Sequence, residues 1–133
     1  MNNKKSKYII RTAIVLFIIF YIGHLIFTIY QFKVNGRYTI GTIVSIKTKT
    51  VGLGKQKAVL VSYNFKNKKY QYEMDGDLGY KIGSRFFIKI SPTGNGFGMG
   101  IKCEVPDNIN IAPAHGWDKK WMQENYPDCS LIK

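Results

Sequence analysis

Residues 12–32 read TAIVLFIIFYIGHLIFTIYQF, a run of 21 positions without Asp, Glu, Lys or Arg. At 1.5 Å per residue, a helix of that length crosses a hydrocarbon layer about 30 Å thick. A lone segment in lipid has no neighbour to satisfy its peptide groups, so helix is the conformation that leaves none unpaired. Tyr8 lies near one end and Tyr30 with Phe32 near the other, where aromatic rings favour the head-group layer. A cleaved signal peptide has a shorter apolar core followed by a small-x-small site. This run instead leads into Tyr30, Gln31, Phe32 and Lys33, and reads as a permanent anchor. A buried core helix would show a polar stripe, and the run has none.

The charges flanking the span set its expected direction. Lys4, Lys5, Lys7 and Arg11 precede it, and all eight acidic residues follow Lys33. Within about 15 residues on the far side lie Lys33, Arg37 and Lys47. The positive-inside rule then keeps residues 1–11 in the cytoplasm and sends the remainder outward from the bacterial inner membrane. Inside the span, His24 is an ionisable residue in a costly place. Either it joins Gly23 and Thr28 in contacting a partner helix, or it is a neutral imidazole satisfied within its own helix. With no second ionisable group in the span, a proton path is not expected.

Past Asn35-Gly36 the period changes from helical to alternating. Arg37–Lys49 places Tyr38, Ile40, Thr42, Val44 and Ile46 on one face of a strand, and Gly52-Leu53-Gly54 breaks it. Val59, Val61, Tyr63 and Phe65 alternate along a second strand. Lys66-Asn67 turns the chain into a third, Lys68–Met74, giving a hairpin. Asp75–Gly83 reads as loop and turn, Arg85–Ser91 as a strand with Phe86, Ile88 and Ile90 inward, and Met99–Val105 as a last short strand. Four or five such strands predict an antiparallel meander curled into a small barrel, SH3-like or OB-like. The expected architecture is mainly β: one transmembrane helix (12–32), a β-barrel domain (33–105) and a tail (106–133) with a short helix near Trp117–Asn125, packed on the barrel.

Side chains that could carry chemistry are sparse. Cys103 and Cys129 are 26 positions apart and form no Cys-x-x-Cys pair. In an exported domain they are expected to form a disulfide tying the tail to the last strand; a metal site combining them with His115 is the weaker alternative. Gly52-Leu53-Gly54-Lys55 and Gly94–Gly100 lack the Gly-Lys-Ser/Thr ending of a phosphate loop, and read as turns. Glu73, Asp75 and Asp77 lack the closing Glu of a calcium loop. No catalytic residue, cofactor, metal or small-molecule substrate is expected.

Binding surfaces remain. The net charge is +12, and four basic residues precede the span, which leaves the domain at about +8. Lys47, Lys49, Lys55, Lys57, Lys66, Lys68 and Lys69 cluster on the first strands and their loops. They serve either as solvated edge guards or as a contact to an anionic surface such as acidic lipid. Trp117 and Trp121, four apart, share a helix face. They either cap the open end of the barrel or sit among head groups or in a partner's groove.

The segments Ile40-Gly41-Thr42-Ile43-Val44, Val61-Ser62-Tyr63-Asn64-Phe65 with Lys68-Lys69-Tyr70, and Tyr80–Pro92 together resemble small membrane-anchored bacterial proteins of unknown function. Their β domain reads G-x-V, then Y-x-turn-x-Y, then Y-x-x-G-D-x-V-x-V-x-Y-x-P. The resemblance covers residues 38–93. Ser84 stands where Asp is usual, Ile90 where Tyr is usual, and Thr93-Gly94-Asn95 replaces Asn-Pro. It implies an accessory membrane protein with a β module and supplies no catalytic residue.

The expected function is thus a non-enzymatic, single-pass protein presenting a basic β domain at the extracytoplasmic surface of the inner membrane as an accessory or structural subunit of an envelope complex. Its expected partners are membrane lipid and other envelope proteins. An immunity-type protein that binds a toxin at the envelope is the first alternative. A cytoplasm-facing nucleic-acid-binding module is the second; an exported domain would not meet that partner.

Overall fold

The computed structural model describes residues 3–76, 79, 81–93 and 97–132, and of residues 3, 97 and 99–102 the backbone alone. The expected loop residues Asp77, Leu78 and Tyr80, and the glycine-rich positions 94–96, lie outside the described residues. Helix α1 runs from Asn3 to Asn35, 33 residues, beyond the apolar run at both ends. At 1.5 Å per residue it is about 50 Å long, more than a hydrocarbon layer of about 30 Å requires, and its first turns bear Lys4, Lys5 and Lys7. Its apolar window is long enough to cross a membrane, and none of it is buried against the rest of the chain. The Thr12 and Thr28 hydroxyls donate to the carbonyls of Tyr8 (3.0 Å) and His24 (2.9 Å), which satisfies them within the helix.

Five antiparallel strands follow: β1 Arg37–Val51, β2 Gly54–Phe65, β3 Lys68–Asp75, β4 Arg85–Ile90 and β5 Phe97–Glu104. Their order across the sheet is β3-β2-β1-β4-β5. The expected meander therefore ends at β3. The chain then returns past β1, so that β4 lies beside the first strand in Greek-key order. The sheet does not close, because β3 and β5 are its two edges; the expected barrel is an open sheet. Gly98 and Gly100, expected in a turn, lie within β5.

Each hairpin follows from its turn residues. Lys66 and Asn67 both have positive φ (50° and 60°), the requirement of a two-residue type I′ connection between Phe65 and Lys68. Gly52, at φ 58°, takes the first central position of the β1–β2 turn, where a glycine is demanded.

Strand β1 corrects the one-faced reading of Tyr38 through Ile46. Its first half, to Ile43, is buried on both faces, and its pairing with β2 shifts between Ile43 and Ser45, a bulge that turns Ile46 to the face of Val59. Tyr38 and Ile40 pack on one face, while Ile43 joins the core of the other and Val44 is left exposed. The first core comprises Ile43, Val59, Val61, Tyr63, Phe65, Phe86, Ile88 and Ile90, with Tyr70 and Met74 against it. All of these residues belong to the sheet itself, so among the described residues this core is enclosed by the strands folding over one another. Gly41 permits the closeness: a Cβ there would stand 2.8 Å from Ile88 Cγ2 and 3.0 Å from Val61 Cγ1. Gly41→Val is expected to destabilise the domain by about 1–3 kcal/mol through overpacking, measured as the shift in a urea unfolding midpoint.

The opposite face is covered by the tail. Tyr38, Phe87, Cys103 and Val105 pack there with Met122, Cys129 and Ile132. Trp117 pairs with Tyr38 as an isolated bridge, its N–H and carbonyl both bonded to Tyr38 (2.8 and 2.9 Å). Helix α2 spans Lys119–Asn125, with Asp118 as N-cap, its carboxylate accepting from the Trp121 N–H at 2.8 Å. A 3-10 turn, Ser130–Ile132, ends the described chain.

Candidate membrane and partner interfaces

One residue, Gly36, separates helix α1 from strand β1. A Cβ at Gly36 would collide with the Lys89 side chain and the Phe32 carbonyl, so the connection requires glycine for close approach. Lys89, on β4, is 9% exposed. Its Nζ donates to the Lys33 carbonyl at 3.2 Å and lies 5.1 Å from the Phe32 ring centroid and 5.9 Å from that of Tyr38. A cation at the last turn of a helix meets the negative end of its dipole and satisfies a carbonyl the helix cannot, and the two rings add cation–π attraction. On β5, a Cβ at Gly98 would stand 3.1 Å from Phe32 Cζ, so Phe32 lies over that glycine. Burial, and then the charges of Lys119 and Lys33, push the Lys89 ammonium below its ordinary value. The helix end and the domain are therefore packed together. Lys89→Ala is expected to cost about 1–2 kcal/mol and to let the domain move against the helix, read as lower tryptophan anisotropy in nanodiscs.

The lysine cluster expected from sequence divides into two. Lys47, Lys49, Lys55 and Lys57 lie on the β1–β2 ribbon beyond the bulge, with Leu53 fully exposed at its tip. There Lys49 pairs with Glu73 and, at 3.9 Å, with Asp75; these are two of the three carboxylates of the considered calcium loop, and they answer a lysine. Lys66, Lys68 and Lys69 sit at the other end, by the helix junction. Lys66 Nζ donates to the Pro92 carbonyl at 2.9 Å, and its N–H donates to the Ala114 carbonyl at 2.5 Å. Lys66 therefore fastens the hairpin to the tail as well as carrying charge.

Trp117 and Trp121 do not share a helix, since Trp117 precedes α2. Their rings nevertheless stack at 4.6 Å and 12° and pack edge-on to Phe87, at 5.6 and 6.4 Å. They cover a sheet face rather than a barrel mouth. Cys103 and Cys129, both buried, are joined by a disulfide with Cα atoms 4.7 Å apart. Bonded sulfurs are not thiolate ligands, so the considered cluster with His115 is not formed. Among the described residues, no group of three His, Cys, Asp or Glu side chains is placed to hold a metal ion. Among the described residues nothing packs at Gly23, where an added Cβ would meet no atom within 4 Å. His24 and Thr28, four apart, share a face of the same bare helix.

A cleft of about 290 Å³ lies between the sheet, at Thr42, Ser62, Asn64 and Lys69, and the tail, at Asn110–Ala112. Arg85 borders it, but its guanidinium holds the tail through the carbonyls of Ile109 (2.8 Å) and Pro106 (3.3 Å).

Two tyrosines set an alkaline limit on stability. Burial raises the Tyr38 phenol, whose hydroxyl donates to the Leu131 carbonyl at 3.1 Å. Burial, with Tyr70 and Tyr72 beside it, raises Tyr63. Below pH 10.0, the ordinary value for both, each is neutral in folded and unfolded chains alike and its contribution is fully present. Above it the unfolded chain releases protons that the folded chain retains, so stability falls until the pH has passed the raised values. Urea melts at stepped alkaline pH should show this decline, and Tyr38→Phe should make it shallower.

No family model, curated protein or solved structure matches this chain.

Proposed function

We propose that this chain is a non-enzymatic, single-pass membrane protein that holds its β domain at the extracytoplasmic surface as an accessory or structural subunit of an envelope complex. The observation that carries the reading is the bare helix α1: its apolar window has no contact that would bury it within the chain, yet its end is clamped into a folded domain by Lys89. Such a surface is stable in lipid and not in water. The disulfide supports the outward direction, because disulfides persist in oxidising compartments. Lys66, Lys68 and Lys119 do not oppose it: insertion reads charges within about 15–20 residues of the span, and these reach the junction by folding. For the fold of the domain, the Greek-key order with a gap between β3 and β5 favours an OB-like, partly open barrel over an SH3-like one.

A reporter fused after Lys133 tests the direction: activity on the outer side of the membrane is the expected result, and cytoplasmic activity refutes it. Purification in mild detergent should then recover stoichiometric envelope proteins. A lone monomer after that step would remove the subunit reading.

A further inference from the structure

We propose that the end of the domain next to α1, formed by Lys33, Arg37, Lys66, Lys68 and Lys119, docks on the phosphate-bearing head groups of anionic phospholipids in the leaflet from which the helix emerges. This rests on the reading of α1 as a membrane span and deepens it. The fold brings these residues together from four places in the chain. Lys33 is in the last turn of α1, and Arg37 opens β1 one residue beyond Gly36. The β2–β3 turn is held at this end by Lys66, which bonds both Pro92 and Ala114. Trp117 is bridged to Tyr38, placing the start of α2 here, and Lys119 and Lys33 are each near enough to Lys89 for their charges to act on its ammonium. All five side chains are exposed. The carboxylate beside them, Asp118, is engaged as the N-cap of α2.

Two physical points select lipid as the occupant. First, the single-residue connection and the Lys89 bond hold this end against the last turn of α1, and so beside the bilayer that α1 is proposed to cross. Second, basic residues within a Debye length of an anionic bilayer are attracted to it, and those farther away are screened. The four ribbon lysines, at the far end of β1 and β2, are excluded by the same argument.

Trp117 and Trp121 beside this rim provide the test, because they are the two tryptophans of the chain. The full-length protein is placed in nanodiscs carrying a quencher near the head groups, in neutral phosphatidylcholine or with phosphatidylglycerol added. Quenching is expected to be about twofold stronger in the anionic bilayer and to fall to the neutral level at high salt. The triple reversal Arg37→Glu, Lys68→Glu, Lys119→Glu should abolish the difference, and the ribbon reversal Lys47→Glu, Lys55→Glu should preserve it. Equal quenching in both bilayers, or an equal loss with the ribbon reversal, overturns the proposal. Should the triple variant not fold, the wild-type salt titration decides alone: an excess that survives high salt counts against it. Failure of the span itself has a separate signature, release of the protein from liposomes by carbonate, which the quenching result does not mimic.

Discussion

Replacing Cys103 and Cys129 together with serine is expected to lower the unfolding free energy of the domain by about 3–4 kcal/mol, the chain-entropy value for a loop of this length. The bond spans 26 positions and joins the last strand to the segment after α2. Both sulfurs are buried, at 2% and 1% exposure, within the core that the tail makes with Tyr38 and Phe87. Reduction therefore frees the cover of one sheet face rather than a surface loop. Urea melts in oxidising and reducing buffer measure the effect, and the wild-type protein in reductant should match the double-serine variant. Equal midpoints with and without reductant would mean that the tail is held by packing alone.

Phe87→Ala is the second large effect, about 3–5 kcal/mol for an aromatic residue removed from a closed core. Phe87 is fully buried, with its ring 4.7 Å from Tyr126 and 5.6 Å from Trp117. Its loss takes away the surface on which the stacked tryptophans rest. Their emission should shift to the red in folded protein, before any denaturant is added. A blue, unshifted spectrum together with a small change in midpoint would refute the packing described for this face. Against a total stability of about 5–15 kcal/mol, either change approaches the margin of folding.

The long apolar helix and the strands were legible because each rests on a local pattern. A charge-free run of 21 residues has few alternatives, and the alternation of Val59, Val61, Tyr63 and Phe65 marks an inward face that the structure retains. What failed was whatever depended on two segments meeting. Up to Ile43 strand β1 is buried on both faces, Tyr38 and Ile40 toward the tail and Ile43 toward the other core, so a one-faced reading placed Val44 with Tyr38 and left Ile43 out. The bulge beyond Ile43 then turns Ile46 to the Val59 face without a glycine or proline to announce it. The return of β4 to the side of β1 is a long-range pairing that no local pattern encodes. Lys89 was missed for a similar reason. In the stretch Arg85–Ile90 it occupies a position like any solvated strand lysine, and only the folded junction shows the carbonyl and rings that receive it. The one available hint was Gly36, which marks a tight approach but not its partner.

The clamp at Gly36 also has a mechanical meaning. A strand of 15 residues, bent once at the bulge after Ile43, leads from it toward the tip at Leu53, a reach of up to about 45–50 Å at the usual strand rise. A joint held at the base of so long an arm works as a lever: a tilt of the helix by about ten degrees carries the far end through several ångströms. If α1 crosses the membrane as proposed, a neighbour that tilts it would redirect the ribbon through the Lys89 contact.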